Sequence, residues 1–392
     1  MRGSFSERIS QMTPSGIRKV NERTLQMERE GQTVYHFEIG RPDFDTPEYI
    51  KEACIRSIQN GDVFYTSNVG YQELREKIAT YLYEKKKIAV TDQNILVTVG
   101  LAEAVFDVLT ALLVPGDEIL VPDPVWMNYI NIPKLLGAVP KFYSLLEKRN
   151  YQPDIREMEA AVTEKTKAIV LVNPSNPTGS MLEEDTLMAI ADLAIQKDLI
   201  VISDEIYERL IYEKPHISIA SLPGMKERTV TLNGFSKTYS MTGWRIGYLA
   251  APAEWVTLFN KIHQVNTTSA TSFVQKAAIT ALDKETDEVE KMRQEYKRRR
   301  DYAVATINRI PGLSCMVPDG AFYIFINLTG LHVSSAEFAD KLLEEEKVAM
   351  VPGDVFGQNV EGYLRMSFAN SMENIKEGLL RLERAARTYI DN

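Results

Sequence analysis

Cysteine is scarce in this 392-residue chain, limited to Cys54 and Cys315 at distant positions. Neither a disulfide framework nor a CxxC metal knuckle can be built from them. Histidine is nearly as rare: His36, His216, His263 and His332 are scattered, with no HExxH or paired-ligand spacing. No catalytic metal is therefore expected. No apolar run approaches the roughly eighteen residues a membrane span needs. The opening "MRGSFSERISQM" has no apolar stretch of the secretory-leader kind, so the expected location is the cytoplasm and the N-x-T triplets at Asn266 and Asn327 are chance matches. No GxxxxGKS or GxxxxGKT occurs and no GxGxxG follows an apolar run, which removes the main support for P-loop and nicotinamide-dinucleotide readings. Basic excess is missing too. With 45 Lys and Arg against 54 Asp and Glu, the net charge is −9, and nucleic acid is not an expected partner. The basic run "KRRRDY" (297–302) falls in a helical pattern and is expected to be a solvated helix face.

What the chain does have is alternation. "NILVTV" (94–99), "EILVPD" (118–123), "KAIVLVNP" (167–174), "LIVISDE" (199–205), "TVTLNG" (229–234) and "RIGYLAAP" (245–252) read as strands. Their near-continuous Val, Ile and Leu content suits strands covered on both faces. "AEAVFDVLTALL" and "DTLMAIADLAIQK", lying between them, carry helical apolar spacing. The fold class is therefore α/β with a mostly parallel sheet. Beyond about residue 280 long charged helices alternate with "GAFYIFINL" and "YLRMSFA", a smaller α+β unit. No internal repeat or low-complexity linker is visible.

Ligands of open α/β sheets gather beyond the carboxyl ends of the strands. After "NILVTV" the turn Gly100-Leu101-Ala102 opens a helix, and such a turn offers unpaired N–H groups and a positive dipole end to a phosphate. "NPSNPTG" (173–179) delivers the Asn176 amide, and "SDEIYERL" delivers Asp204 and Tyr207. A carboxylate at a buried strand end needs a partner, although Asp204 could also serve as a helix cap. "TLNGFSKTYSMTGWRIGY" (231–248) then adds Ser236, Lys237 and Arg245, the arginine inside what reads as a short strand. Pyridoxal 5′-phosphate calls for this set: a phosphate clamp, a carboxylate for its ring nitrogen, donors for its phenolic oxygen and a lysine for its aldehyde.

At these residues the chain resembles the class I/II aminotransferases of fold type I, the aspartate aminotransferase-like pyridoxal-phosphate enzymes, over essentially its whole length. The motifs carrying the resemblance are "GRPDFDTP" (40–47), "YTSNVGYQELR" (65–75), "PDPVW" (122–126), "NPSNPTG", "SDEIYE", "SKTYSMTGWRIGY", "GAFY" (320–323), "VPGDVFG" (351–357) and "YLRMSFA" (363–369). The resemblance implies a large cofactor-binding domain over 46–285 and a small domain from 1–45 with 286–392. It implies that Lys237 forms the internal aldimine and moves the Cα proton, that Asp204 keeps the ring nitrogen protonated, and that Tyr207 and Asn176 bond the phenolic oxygen. Trp126 would stack on the ring; Arg245, Ser236 and the backbone of Leu101 and Ala102 would hold the phosphate. Tyr65 would reach the phosphate of a neighbouring subunit, which implies a homodimer with shared sites. Arg365 would grip the substrate carboxylate, with Gly40 beside it.

The activity implied is transfer of an α-amino group from an L-amino acid to a 2-oxo acid in a ping-pong cycle between the pyridoxal and pyridoxamine phosphates. The alternative within the fold is a C–S lyase; an idle regulatory domain of a transcription factor would need a DNA-binding module ahead of "GRPDFDTP". Two positions depart from the family pattern: Gly234 stands where some relatives place a phosphate-binding serine, and Arg41 where an acidic residue is common. Ala102 stands where one dicarboxylate-selective branch carries a lysine. With Ile17 as an apolar wall, the expected donor is therefore a neutral amino acid, aromatic or aliphatic, rather than aspartate, Arg18 being the charge that could rescue a second carboxylate.

Overall fold

The computed structural model describes residues 7–10, 12, 16–283 and 287–390. Its centre is a sheet of seven strands: β1 (Ile95–Thr98), β2 (Glu118–Asp123), β3 (Val139–Ser144), β4 (Thr166–Val172), β5 (Ile200–Asp204), β6 (Thr229–Gly234) and β7 (Gly247–Ala250). Their spatial order is β1-β7-β6-β5-β4-β2-β3. All neighbouring pairs are parallel except those made by β7, which runs antiparallel to both β1 and β6.

The uninterrupted apolar runs have a direct packing reason. Along β4, Ala168, Val170 and Val172 join one hydrophobic cluster while Ile169 and Leu171 join another on the opposite face. Side chains alternate in a strand, so a strand covered on both sides needs apolar residues at every position. Edge strand β3 escaped the sequence reading because it contains Pro140 and Lys141 and is only half-buried; proline at an edge costs no ladder bond on the open side.

Of the helices, α2 (Leu101–Leu112) and α3 (Ala253–Asn266) pack on this sheet, whereas α1 (Gly16–Arg29) and α4 (Asp287–Ile307) pack on strands later in the chain. A second, antiparallel sheet has the order β10-β11-β9-β8, from β8 (Ser314–Cys315), β9 (Tyr323–Asn327), β10 (Val351–Pro352) and β11 (Tyr363–Ser367). The early residues Tyr35 and His36 pair in parallel with Val348 and Ala349, tying the start of the chain to this later unit. The domain division expected between 285 and 286 falls outside the described residues. Among the described residues no helix is long and apolar enough to cross a membrane.

Two expectations are corrected. "KRRRDY" is not simply a solvated face: Arg299 is 6 % and Arg300 2 % exposed. Arg299 donates to both carboxylate oxygens of Asp43 at 2.8 Å, and Arg300 makes a two-pronged contact with Glu213 at 2.6 Å while lying 4.6 Å above the Tyr212 ring. Both pairs arise between segments distant in sequence. Arg245, expected inside a strand, precedes β7 instead. It ends the short turn Thr242–Trp244 with φ +55°.

Candidate active site

The parallel strands release their functional residues at a common edge. Gly100 to Ala102 follow β1, Trp126 follows β2, Asn176 follows β4, Asp204 ends β5, and Ser236 and Lys237 follow β6. Because β7 runs the other way, its start lies at that same edge, and this delivers Arg245 beside the ends of its neighbours. A cavity of about 250 Å³ opens there. Its lining contains Gly40, Leu101, Ala102, Trp126, Asn176, Asp204, Tyr207, Ser236, Lys237, Arg245 and Arg365. Every site residue expected from the sequence is among them except Tyr65, which is 88 % exposed on the chain's surface.

One end of the cavity is built for an anion. Leu101 and Ala102 are the first residues of α2, where N–H groups have no helical carbonyl to bond. Gly100 precedes them at φ +80°, and a Cβ there would fall 2.5 Å from Arg245 Nη2. Glycine thus lets the guanidinium lie against the turn. Arg245 is held by donation to the Thr242 carbonyl (3.1 Å) and the Val99 carbonyl (3.3 Å). The departure at Gly234 also has a cause: it pairs with Gly247 across the β6–β7 ladder, and a Cβ would sit 3.0 Å from the Gly247 Cα. A serine at that position would crowd the ladder.

The middle of the cavity is titratable. Lys237 donates to the Gly40 carbonyl at 2.5 Å. Burial, reinforced by the charges of Arg365 and Arg245 and opposed by Asp204, brings its amine down to about 8. Asp204 is 3 % exposed. Burial lifts its carboxyl to about 6 despite bonds from the Ile206 N–H (3.2 Å) and the Tyr129 hydroxyl (2.9 Å) and the charge of Lys237. Asp204 therefore caps the turn that follows it and also faces the cavity.

At the far end Arg365 is 1 % exposed on β11. It donates to Asn176 Oδ1 at 3.0 Å and to the Glu38 carbonyl, and lies 4.5 Å from the Tyr323 ring and 4.9 Å from that of Phe356. Its Nε is buried without a hydrogen-bond partner. A buried guanidinium donor left open in this way can be satisfied by a carboxylate or equivalent acceptor.

The sequence reading assigned no role to Tyr323, Tyr129 or Thr242. The Tyr323 hydroxyl is 2.8 Å from that of Tyr207, and a Cβ on Gly40 would meet it at 2.0 Å. Tyr323 ends "GAFY", so its motif was visible while its partner, 116 residues away, was not. Ile17 lines the cavity, whereas Arg18 and Arg41 are not among its lining residues. Arg41 lines instead an adjoining groove of about 820 Å³ with Asp43 and Asp45.

Comparison with known proteins matches residues 32–382 to the family model described as aminotransferase class I and II. An aspartate aminotransferase of Pyrococcus abyssi is 42 % identical over 388 residues, 98 % of both chains. An aromatic-amino-acid aminotransferase of Thermococcus litoralis is 40 % identical over 389 residues, again 98 % of each. Among solved structures, Thermus thermophilus aspartate aminotransferase with maleate superposes with a TM-score of 0.93 at 36 % identity, covering 98 % of this chain and 100 % of that one.

Proposed function

The chain belongs to the class I and II aminotransferases and has their fold type I architecture, and from that premise we propose that it transfers the α-amino group of an L-amino acid to a 2-oxo acid using pyridoxal 5′-phosphate held around Lys237. The observation that carries this reading is the convergence of half-buried Lys237 with buried Asp204 and Arg365 on one cavity. The residues suit the cofactor in charge and in shape. The open N–H groups of Leu101 and Ala102, with Ser236 and Arg245, provide a dianion cradle that Gly100 keeps clear. Asp204 presents a carboxylate for the ring nitrogen, Tyr207 and Asn176 present donors for the phenolic oxygen, and Trp126 offers a face for stacking. When bound, the cofactor supplies a reactive aldehyde and a cationic ring that draws electrons from the substrate Cα.

The chain's own groups do the rest. Lys237, with its amine lowered to about 8, holds and releases a proton near neutral pH, as a general base between Cα and the cofactor carbon requires. Arg365 binds the α-carboxylate through its unpartnered edge and fixes which Cα bond faces Lys237. Lys237, Arg245 and Arg365 are the cations among the lining residues, and each already has a task. A distal carboxylate on the donor would meet Ile17 and Ala102 instead. We therefore assign a neutral donor, aromatic or aliphatic. The early segment paired with the C-terminal unit supports a large domain around the seven-stranded sheet and a small one around the four-stranded sheet. The exposed apolar side chains of Val63, Phe64 and Tyr65 support a homodimer in which Tyr65 serves the neighbouring site.

Borohydride reduction of the cofactor-loaded protein, followed by peptide mapping, tests the assignment. The label is expected on Lys237, and a label elsewhere would refute it. Assaying 2-oxo acid consumption beside ammonia release separates amino transfer from elimination.

A further inference from the structure

Behind the anion cradle, outside the cavity, Glu103 and Asp107 of α2 face His263 of α3. Asp107 and His263 are 0 % and Glu103 9 % exposed. His263 Nδ1 lies 3.2 Å from Glu103 Oε1 and 3.7 Å from Asp107 Oδ2. Glu103 also accepts from the Thr267 hydroxyl and from the Val99 N–H, while the Val99 carbonyl accepts from Arg245. One carboxylate thus ties the start of α2 to the arginine of the cradle. Neither Asp107 oxygen nor His263 Nε2 makes an ordinary hydrogen bond.

Two carboxylates one turn apart repel each other and lose solvation when buried. They also sit in the first two turns of α2, where negative charge competes with a bound phosphate for the dipole end. A cation between them removes both penalties. We propose that His263 is a positioning residue for phosphate binding: as an imidazolium it offsets Glu103 and Asp107, holds Val99 and Arg245 in register, and keeps the α2 turn attractive to a phosphate dianion. The charge state agrees with the geometry. Burial disfavours the proton on His263, but the adjacent carboxylates of Asp107 and Glu103 outweigh it and lift the group to about 9. Of the elements packed against α3 among the described residues, β1 contributes no titratable side chain, and Asp92 in the adjoining turn is paired with Arg75 at 3.0 Å.

The inference rests on the cofactor reading above, and the test separates the two. The probes are pyridoxamine 5′-phosphate and unphosphorylated pyridoxamine, titrated into apo protein by fluorescence; neither needs Lys237 as a covalent partner. H263Q is expected to weaken the phosphorylated probe by about tenfold or more, the scale of one uncompensated buried charge, with pyridoxamine nearly unchanged. The double variant H263Q/D107N, which removes one carboxylate charge, is expected to recover most of the loss. Equal affinity in wild type and H263Q would overturn the proposal, as would equal losses for both probes or a double variant no better than the single. Should H263Q not fold, D107N alone decides: it is expected to bind the phosphorylated probe at least as tightly as wild type, and weaker binding overturns the idea. No binding of the phosphorylated probe by wild type would overturn the cofactor reading itself.

Discussion

An ammonium ion taken out of water gives up its proton more readily, because the cation loses hydration that the neutral amine never needed. For Lys237 that displacement, from an ordinary 10.5 to about 8, is open to direct measurement. In the apo protein an amine-directed reagent should modify Lys237 with a midpoint near pH 8, the reactive free base growing as pH rises, while surface lysines follow two or more units later. A midpoint shared with the surface lysines would contradict the burial argument. Lys237→Ala should lower turnover by about 10³-fold or more, since nucleophilic and proton-transfer roles are lost together. Asp204→Asn makes a narrower change: cofactor should stay bound while single-turnover deprotonation of the donor slows severely, a neutral amide being a poor partner for a protonated ring. An unchanged single-turnover rate would remove Asp204 from that role.

Among the elements, α4 shows how far a charge pattern can mislead. Arg298 and Arg300 are near neighbours, yet Arg298 is solvent-exposed with Glu295 whereas Arg300 is buried against Tyr212, Glu213 and the Pro318 carbonyl. Urea unfolding should show Arg300→Ala costing about 1–3 kcal/mol, reduced from the fully buried case because Glu213 remains half-exposed. Arg298→Ala should stay within about 0.5 kcal/mol. Equal effects would mean the burial of Arg300 carries no weight. This contrast marks what was legible beforehand. Strands buried on both faces announced themselves, and so did the cavity residues that sit at their ends, because a strand's composition and the turn after it are local properties. Partnerships were not legible. Nothing near Arg299 points to Asp43, nothing near Tyr129 points to Asp204, and the reversed direction of β7 that carries Arg245 to the cavity is decided by ladder pairing with β1 and β6. Pro140 hid β3 for a similar reason, since only its edge position makes the proline harmless.

For the molecule as a whole, subunit sharing and donor choice are the properties to test. If Tyr65 serves the opposite subunit, mixing Lys237→Ala with Tyr65→Ala chains should create hybrids containing one intact site. Such mixtures should regain, at limiting cofactor, turnover that neither parent has; mixtures no better than the parents would place Tyr65 outside the partner's site. Donor choice is read from kcat/KM for phenylalanine, leucine, alanine and aspartate with one common acceptor. A neutral donor should lead. Aspartate ahead by about tenfold, roughly 1.4 kcal/mol in transition-state binding, would reverse the assignment and implicate a cation outside the lining described above.

Gathering Lys237, Asp204 and Arg365 around one cavity has a further effect, felt in the lifetime of the protein rather than in its chemistry. Each group is held in a protonation state or a degree of dehydration that water would not choose, so the empty site subtracts from the margin keeping the chain folded. Filling the site returns that margin by mass action: at a hundredfold excess over the dissociation constant, a ligand specific for the native state adds about 2.7 kcal/mol. Thermal midpoints should therefore climb with cofactor concentration. Replacing Arg365 by methionine should make the empty protein hardier even as it disables catalysis. A cell that left the site empty would hold this enzyme in its most fragile form, the one most readily opened to proteases, and its abundance would track the supply of the ligand as well as its own synthesis.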